Sequence, residues 1–125
     1  MRTIVLIMRR RPVAQGLMQK MIDDASLHLL YEPDYAQADI AIRTHAASTA
    51  LIEVSESGEY DTSHCLALCT WLRKETPGCK LLLMCPEQDK TGVAQAVEAK
   101  KDGCIDDFVF YDSSIDYLVS KLLSM

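Results

Sequence analysis

The sequence predicts an alternating α/β fold: a five-stranded parallel sheet, doubly wound, with helices on both faces. Three observations point to it. Apolar runs of strand length recur five times along the 125 residues. A stretch with helical spacing follows each run, and parallel strands need right-handed crossovers of that kind. No repeat, linker or low-complexity segment interrupts the alternation, so residues 1–125 are expected to form one domain with a real core.

The elements follow in order. Ile4 to Met8 (IVLIM) is continuously apolar, as a strand buried on both faces requires. Val13, Leu17, Met21 and Ile22 then recur at helical spacing and predict a helix from about Pro12 to Ala25. Pro12 suits its first turn, where a missing N–H costs nothing. Leu27 to Tyr31 reads as the second strand. Pro33 and Asp34 open a helix through His45, with Tyr35, Ala38, Ala41 and Ile42 inward, although Ala38 to Ile42 also alternates like a strand. Thr49 to Val54 is the third strand, followed by a polar loop over Ser55 to Asp61. Cys65 to Lys74 forms a helix with Leu66, Leu68, Cys69 and Leu72 inward, ended by Pro77-Gly78. Lys80 to Cys85 (KLLLMC) is the fourth strand. Val93, Val97 and the alanines between them mark a helix from Thr91 to Lys101, closed by Gly103. Phe108 to Tyr111 is the fifth strand. Ser113 or Ser114 caps a last helix carrying Ile115, Leu118, Val119 and Leu122.

Composition narrows the function classes. With 49% hydrophobic and 25% charged residues the chain is that of an ordinary globular protein. A net charge of −5 speaks against direct nucleic-acid contact as its main task. Arg2 and then Arg9-Arg10-Arg11 bracket only six uncharged residues, too few for a signal peptide, and no apolar run approaches a membrane span. A cytoplasmic protein is expected. The five cysteines (Cys65, Cys69, Cys79, Cys85, Cys104) are odd in number and read as reduced thiols. His64, Cys65 and Cys69 lack the second ligand pair of a metal site, so no metal or other cofactor is expected.

The Arg9 to Arg11 cluster falls at the carboxyl end of the first strand, the ligand-facing edge of an open α/β sheet. It has two readings: an anion or nucleotide site built from guanidinium forks, or a solvated basic turn pairing with Glu53 or with the acidic loop of Glu56, Glu59 and Asp61. No glycine-rich phosphate loop follows any strand. Trp71 is expected to be partly buried, and His28, His45 and His64 to be ordinary. No general base, nucleophile pair or metal set converges, so an enzyme is not expected.

Several stretches resemble the receiver domains of response regulators, a flavodoxin-like fold family. Leu68 to Met84 (LCTWLRKETPGCKLLLM) resembles the family's helix ending in Leu-Arg, its proline a few residues on, and the apolar strand that follows. Gly103 and then Asp106-Asp107-Phe108 resemble the family's entry into its fifth strand, with one residue inserted. His45 precedes Glu53 by eight residues, the family's spacing before its phosphoacceptor. The resemblance covers the whole chain, and it implies Glu53 at the phosphoacceptor position. Ungapped counting from Leu72-Arg73 gives Ser57 instead, and matching the strand end by hydrophobicity gives Ser55.

The departures from the family pattern fall on its chemistry. Its Mg²⁺-binding acidic pair corresponds to Met8, Arg9 and Arg10, which cannot supply hard oxygen ligands. Its Ser/Thr corresponds to Cys85, and its lysine to Tyr111 or Asp112. The resemblance thus implies a degenerate receiver, a two-component signalling domain acting without phosphorylation through protein–protein contact, either as a stand-alone regulator or as the part of a transcription regulator that a DNA-binding output domain follows. It further implies a homodimer through the fourth helix, fifth strand and fifth helix. Lys90, Lys100 and Lys101 would there face Asp106, Asp107, Asp112 and Asp116 of the other copy. The alternative is a flavodoxin-like module binding a small molecule or anion through Arg9 to Arg11.

Overall fold

The computed structural model describes residues 2–56 and 58–125. In chain order its elements are β1 (Arg2–Ile7), α1 (Arg11–Met21), β2 (Leu27–Glu32), a 3₁₀ turn (Tyr35–Gln37), α2 (Ala38–Thr44), β3 (Thr49–Glu53), α3 (Thr62–Glu75), β4 (Lys80–Cys85), α4 (Lys90–Lys101), β5 (Asp107–Phe110) and α5 (Ile115–Ser124). The strands form one parallel sheet in the order β2-β1-β3-β4-β5. The alternating five-stranded α/β fold expected from the sequence is the fold observed.

Alternate strand residues face opposite layers. Ile4, Leu6, Leu51, Leu82 and Met84 pack with Ala14, Leu17 and Met21 of α1 and with Leu118 and Leu122 of α5. Val5, Ile7, Ile52, Leu81 and Leu83 pack with α2, α3 and α4 through Ile42, Cys65, Cys69, Leu72, Ala96 and Ala99. Two helices therefore cover one face and three the other. Arg2 closes the molecule end to end, because its guanidinium donates to the Leu122, Leu123 and Met125 carbonyls at the end of α5 and to the Thr49 hydroxyl.

Element boundaries depart from the sequence reading where a side chain intervenes. α1 stops at Met21 rather than near Ala25, and Ile22 is 68% exposed instead of inward. Asp23 and Asp24 oppose the dipole at a helix carboxyl end, and Asp24 binds the Ser26 N–H and hydroxyl, which turns the chain into β2. The segment after Pro33 begins as a 3₁₀ turn because Glu32 accepts from the Asp34 N–H and Asp34 accepts from the Ala36 N–H, tightening the backbone. α3 starts earlier than Cys65, at Thr62, because the Asp61 carboxylate caps the His64 N–H. In α4 the small residues Gly92, Ala96 and Ala99 are buried, while Val93 and Val97 sit at the margin. Gly103 ends α4 at φ 79°, the left-handed conformation glycine adopts without strain. Trp71 is 51% exposed, less covered than its sequence surroundings suggested.

Candidate functional site

In a sheet ordered 2-1-3-4-5 the winding reverses between β1 and β3, and a crevice opens there at the carboxyl ends of the strands. Glu53 is the last residue of β3 and stands at that point. It is only 1% exposed. A lone carboxylate there would be costly, so its partners decide what the site is.

The partners come from the segment between β1 and α1. Glu53 Oε1 accepts the backbone N–H of Arg9 at 3.0 Å and of Arg10 at 3.2 Å, and Oε2 accepts the Arg10 Nε at 2.5 Å. Both amides lie at the amino end of α1, whose first turn carries no acidic residue of its own. Glu53 therefore supplies, from another element, the negative charge that a helix start favours. The Arg10 guanidinium also lies 3.9 Å from the centroid of the Tyr111 ring and reaches Met84 Sδ at 3.2 Å. The aromatic face of Tyr111 thus packs against the guanidinium while the Arg10 Nε bonds the carboxylate. Tyr111 itself is tied back to β4 through its N–H on the Cys85 carbonyl (3.0 Å). Burial and the charge of Glu53 push its hydroxyl above the ordinary tyrosine range.

The other side of Glu53 is closed by its own backbone contacts. The Tyr35 hydroxyl donates to the Glu53 carbonyl at 2.5 Å, and the Tyr35 ring stacks on Tyr60 at 4.2 Å. The Cys65 thiol points at the same carbonyl (3.7 Å) and at that of Tyr60 (3.5 Å). Burial pushes this thiol up to about 12, and the Cys85 thiol likewise to about 12, so both stay protonated and unreactive at neutral pH.

The residues singled out in the sequence thus separate. Glu53, Arg10 and Tyr111 meet in one cluster. Met8 is fully buried in the layer under α1 and α5. Cys85 is buried in the opposite layer. Arg9 lies over Tyr60 (5.5 Å) and Arg11 over Tyr31 (5.3 Å), so the three arginines do not converge on one point. Arg9 and Arg11 instead border an open depression with Tyr31, Pro33 and Asp34, whose carboxylate works against an anion. Ser55 follows β3 and lines a second depression with Glu56, Asp61, Pro86, Gln88 and Asp89. Ser57 lies outside the described residues. Sequence reasoning missed Tyr35, Tyr60 and Met84 as members of the cluster. An inward Tyr35 was legible from helical spacing, but its hydroxyl partner was not.

The charges expected to face another copy are largely engaged within the chain. Asp106 is held by Arg73 and accepts the Leu81 N–H, and Asp107 is held by Lys100 (3.0 Å) and Lys121. Asp116 meets Lys20 at 3.1 Å, and Lys101 meets Glu98 at 3.7 Å.

The chain matches no family model and no curated protein. Solved structures do match it. A response regulator from Thermotoga maritima superposes with a TM-score of 0.78 at 17% identity, covering 98% of this chain and 95% of that one. A LuxR-family DNA-binding response regulator from Staphylococcus aureus gives 0.77 at 14% identity, with 99% and 98% covered. A structure named adenylate cyclase, from Rhodopirellula baltica, gives 0.80 at 15% identity, with 98% and 84% covered. The chain has the fold of response-regulator receiver domains. Among the described residues no helix is long and apolar enough to cross a membrane.

Proposed function

We propose that the chain is a receiver-like signalling module that works without aspartyl phosphorylation, through contact with other proteins, and that it is not an enzyme. The observation that carries this reading is the closed state of Glu53. Its carboxylate accepts three hydrogen bonds and faces an arginine where the resemblance leads one to expect a metal and a phosphoryl group. A divalent cation entering beside Arg10 would meet like charge, and an incoming phosphoryl donor would find no activating metal. Cys85, and Tyr111 or Asp112, which the resemblance sets at the positions of the family's hydroxyl and lysine, add no positive charge to compensate.

The α4–β5–α5 face is the surface on which the resemblance places a homodimer, and a DNA-binding output domain beyond residue 125 is the other partner it implies. With Asp106 and Asp107 paired internally, contact through that face would rest on shape and apolar area more than on ionic steering. An anion-binding module built on Arg9 to Arg11 is the weaker reading, since Arg10 is engaged with Glu53.

The test is incubation with acetyl phosphate and Mg²⁺ followed by intact mass measurement. No labile phosphoryl adduct is expected. A stoichiometric adduct lost in mild alkali would overturn the reading, and peptide mapping would then examine Asp61 first.

A further inference from the structure

The outer edge of β2 is lightly guarded for an edge strand, with no lysine, proline or bulge inside Leu27–Glu32 and only Glu32 and the following Pro33 at its end. A free edge offers unpaired N–H and C=O groups, and proteins blunt it with shortness, lysine, proline or a bulge. The opposite edge, β5, is four residues long and opens on Asp107 with its two lysines. β2 is six residues long (LHLLYE), and its one formal charge, Glu32, stands at the end.

The ladder to β1 fixes which groups are free. The Arg2 N–H donates to the Ser26 carbonyl at 2.8 Å, with Arg2 beside Leu27 in the register. Backbone groups alternate in direction along a strand, so His28, Leu30 and Glu32 turn theirs to β1. Leu29 and Tyr31 turn theirs outward. Side chains alternate as well: Leu27, Leu29 and Tyr31 lie on the α1 side, and Leu30 lies on the α2 side.

We propose that a second copy of this chain pairs antiparallel along this edge, with Leu30 against Leu30 across a two-fold axis. Opposed residues in an antiparallel pair must share a face, so symmetry admits only registers centred on a residue. Centring on Leu29 sets His28 against Leu30 and leaves Glu32 with no opposite residue in β2. Centring on Tyr31 sets Leu30 against Glu32. Centring on Leu30 satisfies both faces at once. Leu29 and Tyr31, whose backbone groups point outward, then exchange hydrogen bonds with the partner's Tyr31 and the partner's Leu29. On the other face His28 stands opposite the partner's Glu32, and this pair occurs twice. An imidazole N–H can donate to that carboxylate in either protonation state. Ile22 and Met18 flank the same edge beside Leu27 and add apolar surface to the contact. The sheet would run unbroken through both copies. This contact uses neither the Glu53 cluster nor the α4–β5–α5 face, so it stands apart from the signalling reading.

Sedimentation equilibrium on the chain and two variants tests it, with residue-resolved amide exchange on the same samples. The chain is expected to dimerise reversibly. His28 is exposed, so His28→Glu leaves the fold intact while setting like charges opposite each other at both ends. It should raise the dimer Kd by about tenfold or more. Adding Glu32→Gln, which keeps an acceptor for the Asp34 N–H, removes the like-charge contact and should restore most of the affinity. The Leu29 and Tyr31 amides should gain protection as concentration rises, whereas those of His28, Leu30 and Glu32 are protected by β1 throughout. A chain that stays monomeric at NMR concentrations overturns the proposal. So does a dimer indifferent to His28→Glu, or one that the double variant fails to restore. Concentration-dependent protection confined to β5 and α5 would overturn it too.

Discussion

At the residue scale, the cluster turns on a single buried carboxylate and one arginine. Arg10 is partly exposed and Glu53 is not, so the two contribute unequally. Arg10→Ala leaves a buried charge with only its two amide donors, and a loss of about 2 kcal/mol is expected. Glu53→Gln keeps an acceptor for the amides and removes the charge, with an expected loss of about 1 kcal/mol. The double variant should lose less than the sum, because each change removes the other's partner. Urea unfolding of the four proteins measures this. Strict additivity would mean that the two side chains do not act as a pair.

At the element scale, packing reverses an ordinary helix rule. Gly92 lies in the first turn of α4, where alanine would normally stabilise. A Cβ at that position would stand 2.4 Å from Asp89 Oδ2 and 2.5 Å from the Thr62 hydroxyl. Relief requires Asp89 to swing away, and Asp89 is the cap that accepts the Gly92 N–H. Gly92→Ala is therefore expected to destabilise by about 1–2 kcal/mol, combining overpacking with a lost cap. Thermal unfolding of the variant gives the sign directly.

For the molecule as a whole, Asp106 and Asp107 at the start of β5 tie the layers together. Asp106 joins α3 to β4 through Arg73, Lys80 and the Leu81 N–H, and Asp107 joins α4 to α5 through Lys100 and Lys121. Partial burial opposes the charge of both carboxylates, but these donors outweigh it and hold both below the usual range. A folded pKa below the unfolded one gives stability that is present above the unfolded value, about 4, and is lost as pH falls through the folded one. Stability should therefore decline below about pH 4. Asp106→Asn and Asp107→Asn should each be less stable at pH 7 and show a flatter acid limb. Unfolding midpoints between pH 2 and pH 7 in the variants, compared with the parent chain, check both points.

The sequence by itself determined the alternation of strands and helices, the strand run from Lys80 to Cys85 to the residue, and the third strand to within one residue, its expected end at Val54 falling at Glu53. These depend on periodicity and turn chemistry, which act between neighbours in the chain. Helix ends were legible only where a breaker or cap stood out, as at Gly103 and Ser114. They were missed where a carboxylate such as Asp24 redirected the backbone. Tertiary structure alone decided which of three adjacent arginines meets Glu53. Arg9, Arg10 and Arg11 are equivalent as sequence, but the path from β1 into α1 turns each toward a different neighbour: Tyr60, Glu53 with Tyr111, and Tyr31. The same holds for the Tyr35 hydroxyl on the Glu53 carbonyl and for the internal pairing of Asp106 and Asp107. Each joins residues of different elements, and a charge or hydroxyl carries no local mark of the partner that folding brings to it.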